Sequence, residues 1–268
     1  MPQSVIVPSM STLGNSIGAR ASGHLDLAFR HMMQSQGAEL GPQFLRLVTG
    51  EPHPLGNVAV VSDPGDLATM HAAVDPLLTC GFPTSVLFPQ GVSSAVAQSL
   101  LASGYSDAGT MPAMAVDIEH LAATALPPGY EWARMGEGDE GRAWADTLAV
   151  GYGLPLVLAR MMSPERLGAD MASDASLQFF AIRRNGKTVA TSMLYLADGL
   201  AGIYCVATRE EERGKGFGAH VTAEPLRAAL KLGYRVGVLQ SSPAGHSVYL
   251  GLGFADIGTV PMFIRMPA

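Results

Sequence analysis

Two cysteines, Cys80 and Cys205, are all that this chain of 268 residues contains, and they lie far apart with no metal-ligand spacing around them. Neither a disulfide framework nor a zinc site is indicated, and a reducing, cytoplasmic setting fits best. Charged residues make up only 15% of the chain, and the basic ones form nothing larger than pairs such as Arg183-Arg184. With a formal net charge of -6, that argues against nucleic acid as a partner and against a polybasic membrane anchor. No uninterrupted apolar run approaches the roughly 20 residues that span a bilayer. Residues 1–18 also lack the basic start and continuous apolar stretch of a secretion signal. Apolar residues are plentiful at 48%, which excludes disorder and suffices for one large core or two domains.

An internal repeat divides this length. Ser103-Gly-Tyr-Ser-Asp-Ala-Gly-Thr-Met-Pro112 aligns without a gap to Leu252-Gly-Phe-Ala-Asp-Ile-Gly-Thr-Val-Pro261, an offset of 252 − 103 = 149 residues. Each copy reads as a helix ending at a glycine, an aromatic opening a short strand, and a Gly-Thr-x-Pro turn into a second strand, at 113–118 and 262–266. The expectation is two similarly folded domains, 1–125 and 126–268, divided near Ala125-Leu-Pro-Pro-Gly129. A recurrent turn inside one large domain is the alternative. In the second half, strands are expected at 130–135, 179–183, 188–196, 201–207 and 235–240. The second and third flank the hairpin signal Asn185-Gly186. Helices are expected at 137–151, 213–232 and 245–252, giving an α+β or α/β class with a mixed sheet.

Between the strand at 201–207 and the helix after it lies Arg213-Gly214-Lys215-Gly216-Phe217-Gly218-Ala219. Alternating glycines let successive backbone N–H groups turn toward an anion, and the following helix adds its positive end. Three other readings stand beside that one. The glycines can simply permit a tight turn. Gly214-x-Gly216-x-x-Ala219 formally fits a dinucleotide fingerprint, but the next strand ends at Gln240 where an acidic residue is expected. A P-loop fails because no Gly-Lys-Ser/Thr follows at the required spacing.

Arg213-x-x-Gly216-x-Gly218 resembles the acetyl-CoA signature of the GNAT superfamily of acyl-CoA-dependent N-acyltransferases. The stretch Ser242-Pro-Ala-Gly245-His-Ser-Val-Tyr249-Leu-Gly-Leu-Gly253-Phe254 is similar to that family's second motif, with Ser242 in place of asparagine and Gly245 in place of alanine. The resemblance spans 127–268 and implies two GNAT-like domains, each a mixed, mostly antiparallel sheet flanked by helices. It implies acetyl-CoA as co-substrate, a small amine as acceptor, no metal and direct attack without an acyl-enzyme; a homodimer is compatible with it. It assigns cofactor contacts to Cys205, Val206, Thr208, Arg213, Gly214, Lys215, Gly216, Phe217, Gly218, Ala219, Ser242 and Gly245, and the general acid to Tyr249.

Where many members carry a basic glutamate, the strand Ala201-Gly-Ile-Tyr-Cys205 has none. A water relay, Asp198, Tyr204 and His246 are the substitutes, and a non-catalytic acyl-CoA-binding protein is the alternative function. Cys205 has no evident His/Asp partner and reads as a strand residue. Segments 152–157 and 159–162 are expected to line the acceptor cleft. The 149-residue offset carries the glycine loop onto 64–69, where no glycine run occurs, and Tyr249 onto Leu100. The first half thus resembles a degenerate copy, in which His53 and His71 are ordinary polar residues.

Overall fold

The computed structural model describes residues 16–171 and 176–267. Its helices are α1 (Ile17–Met33), α2 (Leu67–Leu78), α3 (Ser94–Ala102), α4 (Gly138–Tyr152), α5 (Leu156–Met161), α6 (Pro164–Met171), α7 (Phe217–Lys231) and α8 (His246–Leu252). The strands are β1 (Glu39–Leu40), β2 (Phe44–Val48), β3 (Asn57–Val61), β4 (Thr84–Leu87), β5 (Ser106–Asp117), β6 (Glu131–Met135), β7 (Leu177–Arg184), β8 (Lys187–Ala197), β9 (Leu200–Thr208), β10 (Val236–Gln240) and β11 (Ala255–Arg265). All eleven form one sheet in the order β1-β2-β3-β4-β11-β5-β10-β9-β8-β7-β6. The pairing is antiparallel except for β3 with β4 and β9 with β10. The class is α+β, an open, mostly antiparallel sheet flanked by helices.

Local chemistry sets most of these boundaries. Two hairpins of the second half turn on adjacent residues in the left-handed region, Asn185-Gly186 (φ 50° and 77°) and Asp198-Gly199 (φ 48° and 70°). Such turns match the twist of paired strands. Helices pack on both faces of the sheet. Leu25, Ala28 and Met32 of α1 join Trp144 and Leu148 of α4 in one core, which also takes Leu45, Val58 and Val60 from the first half and Met193 and Cys205 from the second. A second core places α7 and α8 against Leu194, Ile203 and Leu239.

The two halves exchange strands at the centre. β11, the last strand of the second half, lies between β4 and β5; β5, the last strand of the first half, lies between β11 and β10. The β5–β11 register pairs Thr110 with Pro261, Met111 with Val260 and Pro112 with Thr259. Met111 therefore faces its own counterpart 149 residues on, which is the signature of a two-fold relation between the repeats. The flanking bonds repeat the symmetry: Phe88 N donates to Pro261 O at 3.0 Å, and Ser241 N to Pro112 O at 2.9 Å.

Two sequence expectations are corrected here. Gly-Thr-x-Pro is not a turn between two strands, because β5 and β11 run straight through it. Irregularities at Asp256/Gly258 and Pro261/Phe263 absorb the register change, so each proline sits inside a continuous strand. The helix expected at 213–232 starts only at Phe217. Glu210–Glu212 form a 3₁₀ turn, and Gly214 and Gly216 take φ of 77° and 79°, outside helical space.

Candidate active site

β9 pairs with β10 only at Ala201 and Gly202, opposite Gly237 and Val238. Beyond Gly202 the two strands part. On its other side β9 stays paired with β8, but the register slips between Thr191/Ala207 and Met193/Tyr204, leaving Cys205 and Val206 opposite Ser192 alone. This bulge holds Cys205 at φ 53°, a conformation that non-glycine residues enter only when their surroundings enforce it. Thr191 Oγ1 enforces it in part by donating to Cys205 O at 3.0 Å. Bulge and splay together leave the stretch of β9 after Gly202 without a strand partner on its β10 side.

Beyond β9, the chain turns through 210–216 into α7. Phe217 is buried and packs on Tyr130 at 4.6 Å between ring centroids, which anchors the helix start. Gly214 and Gly216 have nothing within 4 Å of where a Cβ would stand, so their left-handed φ rather than space demands glycine. Gly218 and Ala219 form the first turn of α7. Arg213 donates to Gly151 O at 3.3 Å, while Lys215 is held by Glu212 at 2.6 Å and by the Tyr130 hydroxyl at 3.3 Å. The loop therefore presents backbone amides, with its two basic side chains already engaged.

Past β10, Ser242 Oγ accepts from Gly245 N at 3.2 Å and Ser242 O accepts from His246 N, so the serine organises the entry to α8. A Cβ on Gly245 would stand 3.0 Å from the Tyr249 ring. Tyr249 is buried, packs against Phe254, and has its pKa pushed up to about 12 by desolvation, opposed by a hydrogen bond with Thr222. Its phenol is thus protonated at neutral pH and able to donate.

The other candidates separate clearly. Burial pushes the Cys205 thiol up to about 12, so it is no thiolate nucleophile. Asp198 sits in a hairpin turn, paired with Arg20 at 2.8 Å. His246 Nε2 lies 2.9 Å from Asp256 Oδ1 at the surface. Tyr204, in contrast, stands in the splayed stretch itself, with its hydroxyl 2.7 Å from His24 Nδ1. Tyr152, at the end of α4, was legible only as part of a cleft segment. The residue is 47% exposed, yet its hydroxyl is desolvated, which holds its pKa well above the usual phenol value against an opposing hydrogen bond from the Val206 backbone. Phenols therefore converge on the bulge.

Helix α5 spans parts of both segments expected to line the acceptor cleft, 152–157 and 159–162. Leu158 and Ala159 are buried, and Leu158 approaches Gly56 of the first half. Val157, Arg160 and Met161 line a cavity of about 670 Å³, which also meets Glu51 and Glu165 and contains none of the residues assigned above to cofactor contacts or to the general acid. Among the described residues no cluster could hold a metal ion, and no helix is long and apolar enough to cross a membrane.

In the first half the loop between β3 and α2 is only 62–66. Asp66 closes it, its carboxylate accepting from Ala68 N and Thr69 N. An acid thus fills the helix terminus that in α7 is left to glycine amides. Leu100 does take the place of Tyr249, since Tyr105 N donates to Leu100 O as Phe254 N donates to Tyr249 O.

Residues 154–254 match the model of the acetyltransferase (GNAT) family. No curated protein gives a significant sequence match. Among solved structures, the chain is similar to a GCN5-related N-acetyltransferase from Kribbella flavida, with a TM-score of 0.66, 22% identity, and coverage of 93% of this chain and 95% of that one. One from Sphaerobacter thermophilus gives 0.59 at 15% identity, covering 97% and 94%. A tandem GNAT protein from the clavulanic acid biosynthesis pathway gives 0.56 at 14% identity, covering 98% and 97%. These likenesses extend the fold across both halves.

Proposed function

We propose that the protein is an N-acetyltransferase that moves an acetyl group from acetyl-CoA to the amine of a small molecule, within a tandem of two GNAT-like domains, 1–125 and 126–268. The observation that carries this reading is the bulge at Cys205–Val206 beside the open β9–β10 edge. Backbone groups of Cys205, Val206 and Thr208 would pair with the pantetheine arm. The amides of 214–219 would hold the pyrophosphate at the start of α7, with Ser242 and Gly245 completing the opposite wall.

In the reaction the acceptor nitrogen forms a bond to the acetyl carbonyl carbon, and a backbone N–H near Val206 would stabilise the charge that develops on the carbonyl oxygen. The C–S bond then breaks, and the Tyr249 phenol gives its proton to the departing thiolate. No covalent acyl-enzyme is required, in keeping with a Cys205 thiol held protonated.

The absent strand glutamate favours a second reading, a non-catalytic acyl-CoA-binding protein. A thermal-shift titration with acetyl-CoA and CoA tests what the two share, since a ligand that binds only the folded state raises its stability by mass action. A saturable rise in the wild type, lost in Gly216→Asp, is expected. Release of free CoA with a panel of amines then separates enzyme from binder. No thermal rise at all would overturn both readings.

A further inference from the structure

The last paired residues of β9 and β10 are Gly202 and Val238. Tyr204 and Gln240 each lie two residues further on, so strand alternation puts both side chains on the α1 face, one on each lip of the splay. Gln240 Nε2 donates to Ala21 O of α1 at 3.0 Å, and its Oε1 is buried with no hydrogen-bond partner. Facing Tyr204 is His24, also on α1, which comes from the other half of the chain. His24 is 1% exposed, stacks on Tyr204 at 6.0 Å and 6°, and fits only because residue 202 is glycine: a Cβ there would stand 2.4 Å from its Cε1. Around the ring stand Tyr195, with His31 4.9 Å behind it, and Asp198, which is tied to Arg20.

His24 Nδ1 stands 2.7 Å from the Tyr204 oxygen, while Nε2 is buried with no hydrogen-bond partner. A phenol that donates to Nδ1 requires the ring to carry its proton on Nε2. Desolvation lowers the His24 pKa to about 4, so the ring is a neutral acceptor at working pH.

We propose that Tyr204 and His24 form a proton relay built from both halves of the chain, serving the amine site whose nitrogen Gln240 Oε1 receives. A bound alkylammonium gives one proton to the Tyr204 oxygen while the phenol proton passes to His24 Nδ1, which frees the nitrogen lone pair for attack; the imidazolium later returns its proton to solvent. Tyr204 is the catalytic residue and His24 its positioning and accepting partner. This rests on the acetyltransferase reading and supplies the base that the strand lacks.

The test compares wild type, Tyr204→Phe and His24→Gln in acetyl-CoA turnover. One acceptor is an alkylamine from the panel, mostly protonated at assay pH; the other is hydroxylamine, mostly neutral. Folding and acetyl-CoA affinity are checked by thermal shift. With the alkylamine, kcat is expected to fall about 100-fold or more in each variant, at unchanged KM for acetyl-CoA, and by far less with hydroxylamine. Equal losses with both nucleophiles, or none, would overturn the relay while leaving the enzyme assignment intact. ¹⁵N NMR of labelled histidine in the wild type provides an independent reading: an Nδ1-protonated His24 overturns the relay whatever the rates. A wild type that binds acetyl-CoA and acetylates no amine overturns the enzyme assignment, and the relay with it.

Discussion

Single residues here show how one close contact couples packing to titration. Gly202→Ala would drive a methyl into a buried imidazole, and such overpacking costs about 1–3 kcal/mol; urea denaturation should show that loss with an unchanged m-value. His24 itself makes stability depend on pH. Its folded-state pKa is about 4 against 6.5 for the free side chain, so between those values the unfolded chain binds the extra proton. Stability is therefore whole above pH 6.5, falls as pH drops toward 4, and loses about 3 kcal/mol at the limit. Melting temperatures of wild type and His24→Gln across that window should converge as the pH falls. Tyr249→Phe tests the other phenol. It keeps the packing on Phe254 and removes the proton donor, so kcat should fall by about 100-fold or more while the acetyl-CoA thermal shift persists.

At the scale of elements, the two helix starts of the repeat make opposite use of the same geometry. In α7 the glycines leave amides unclaimed, whereas in α2 the Asp66 carboxylate claims them. Gly216→Asp should therefore abolish acetyl-CoA binding in calorimetry, through both the left-handed φ it must adopt and the charge it brings. Asp66→Ala should lower the melting temperature without creating a second CoA site, because the loop before it is too short to wrap a pyrophosphate. These contrasts were largely legible in the sequence, since glycine spacing and an N-capping acid are local signals. The Asn185-Gly186 hairpin was legible for the same reason, and Asp198-Gly199 carried an equal signal at the β8–β9 turn. The splay of β9 from β10 left no local trace, because it depends on where pairing stops rather than on which residues are present. His24 was equally invisible: its partner lies 180 residues away, and the only hint was an isolated glycine inside a strand.

The whole molecule is held by an exchange that makes each half incomplete. Without 1–125, β10 would lose β5 and β11 would lose both β4 and β5, exposing open strand edges at the centre of the sheet. The core under α1 would open as well, since Leu25, Ala28 and Met32 seat against Met193 and Cys205 of the second half. His24 would leave Tyr204 in the same stroke. Cutting the chain between Ala125 and Leu126 should accordingly give two fragments that are aggregation-prone alone and that assemble with each other when co-expressed. Size-exclusion chromatography and circular dichroism would read the assembly, and the acetyl-CoA thermal shift would return only in the mixture. A fragment 126–268 that is folded, monomeric and CoA-binding by itself would mean that the exchange is an ornament of the tandem, and that the acceptor side alone depends on the first half.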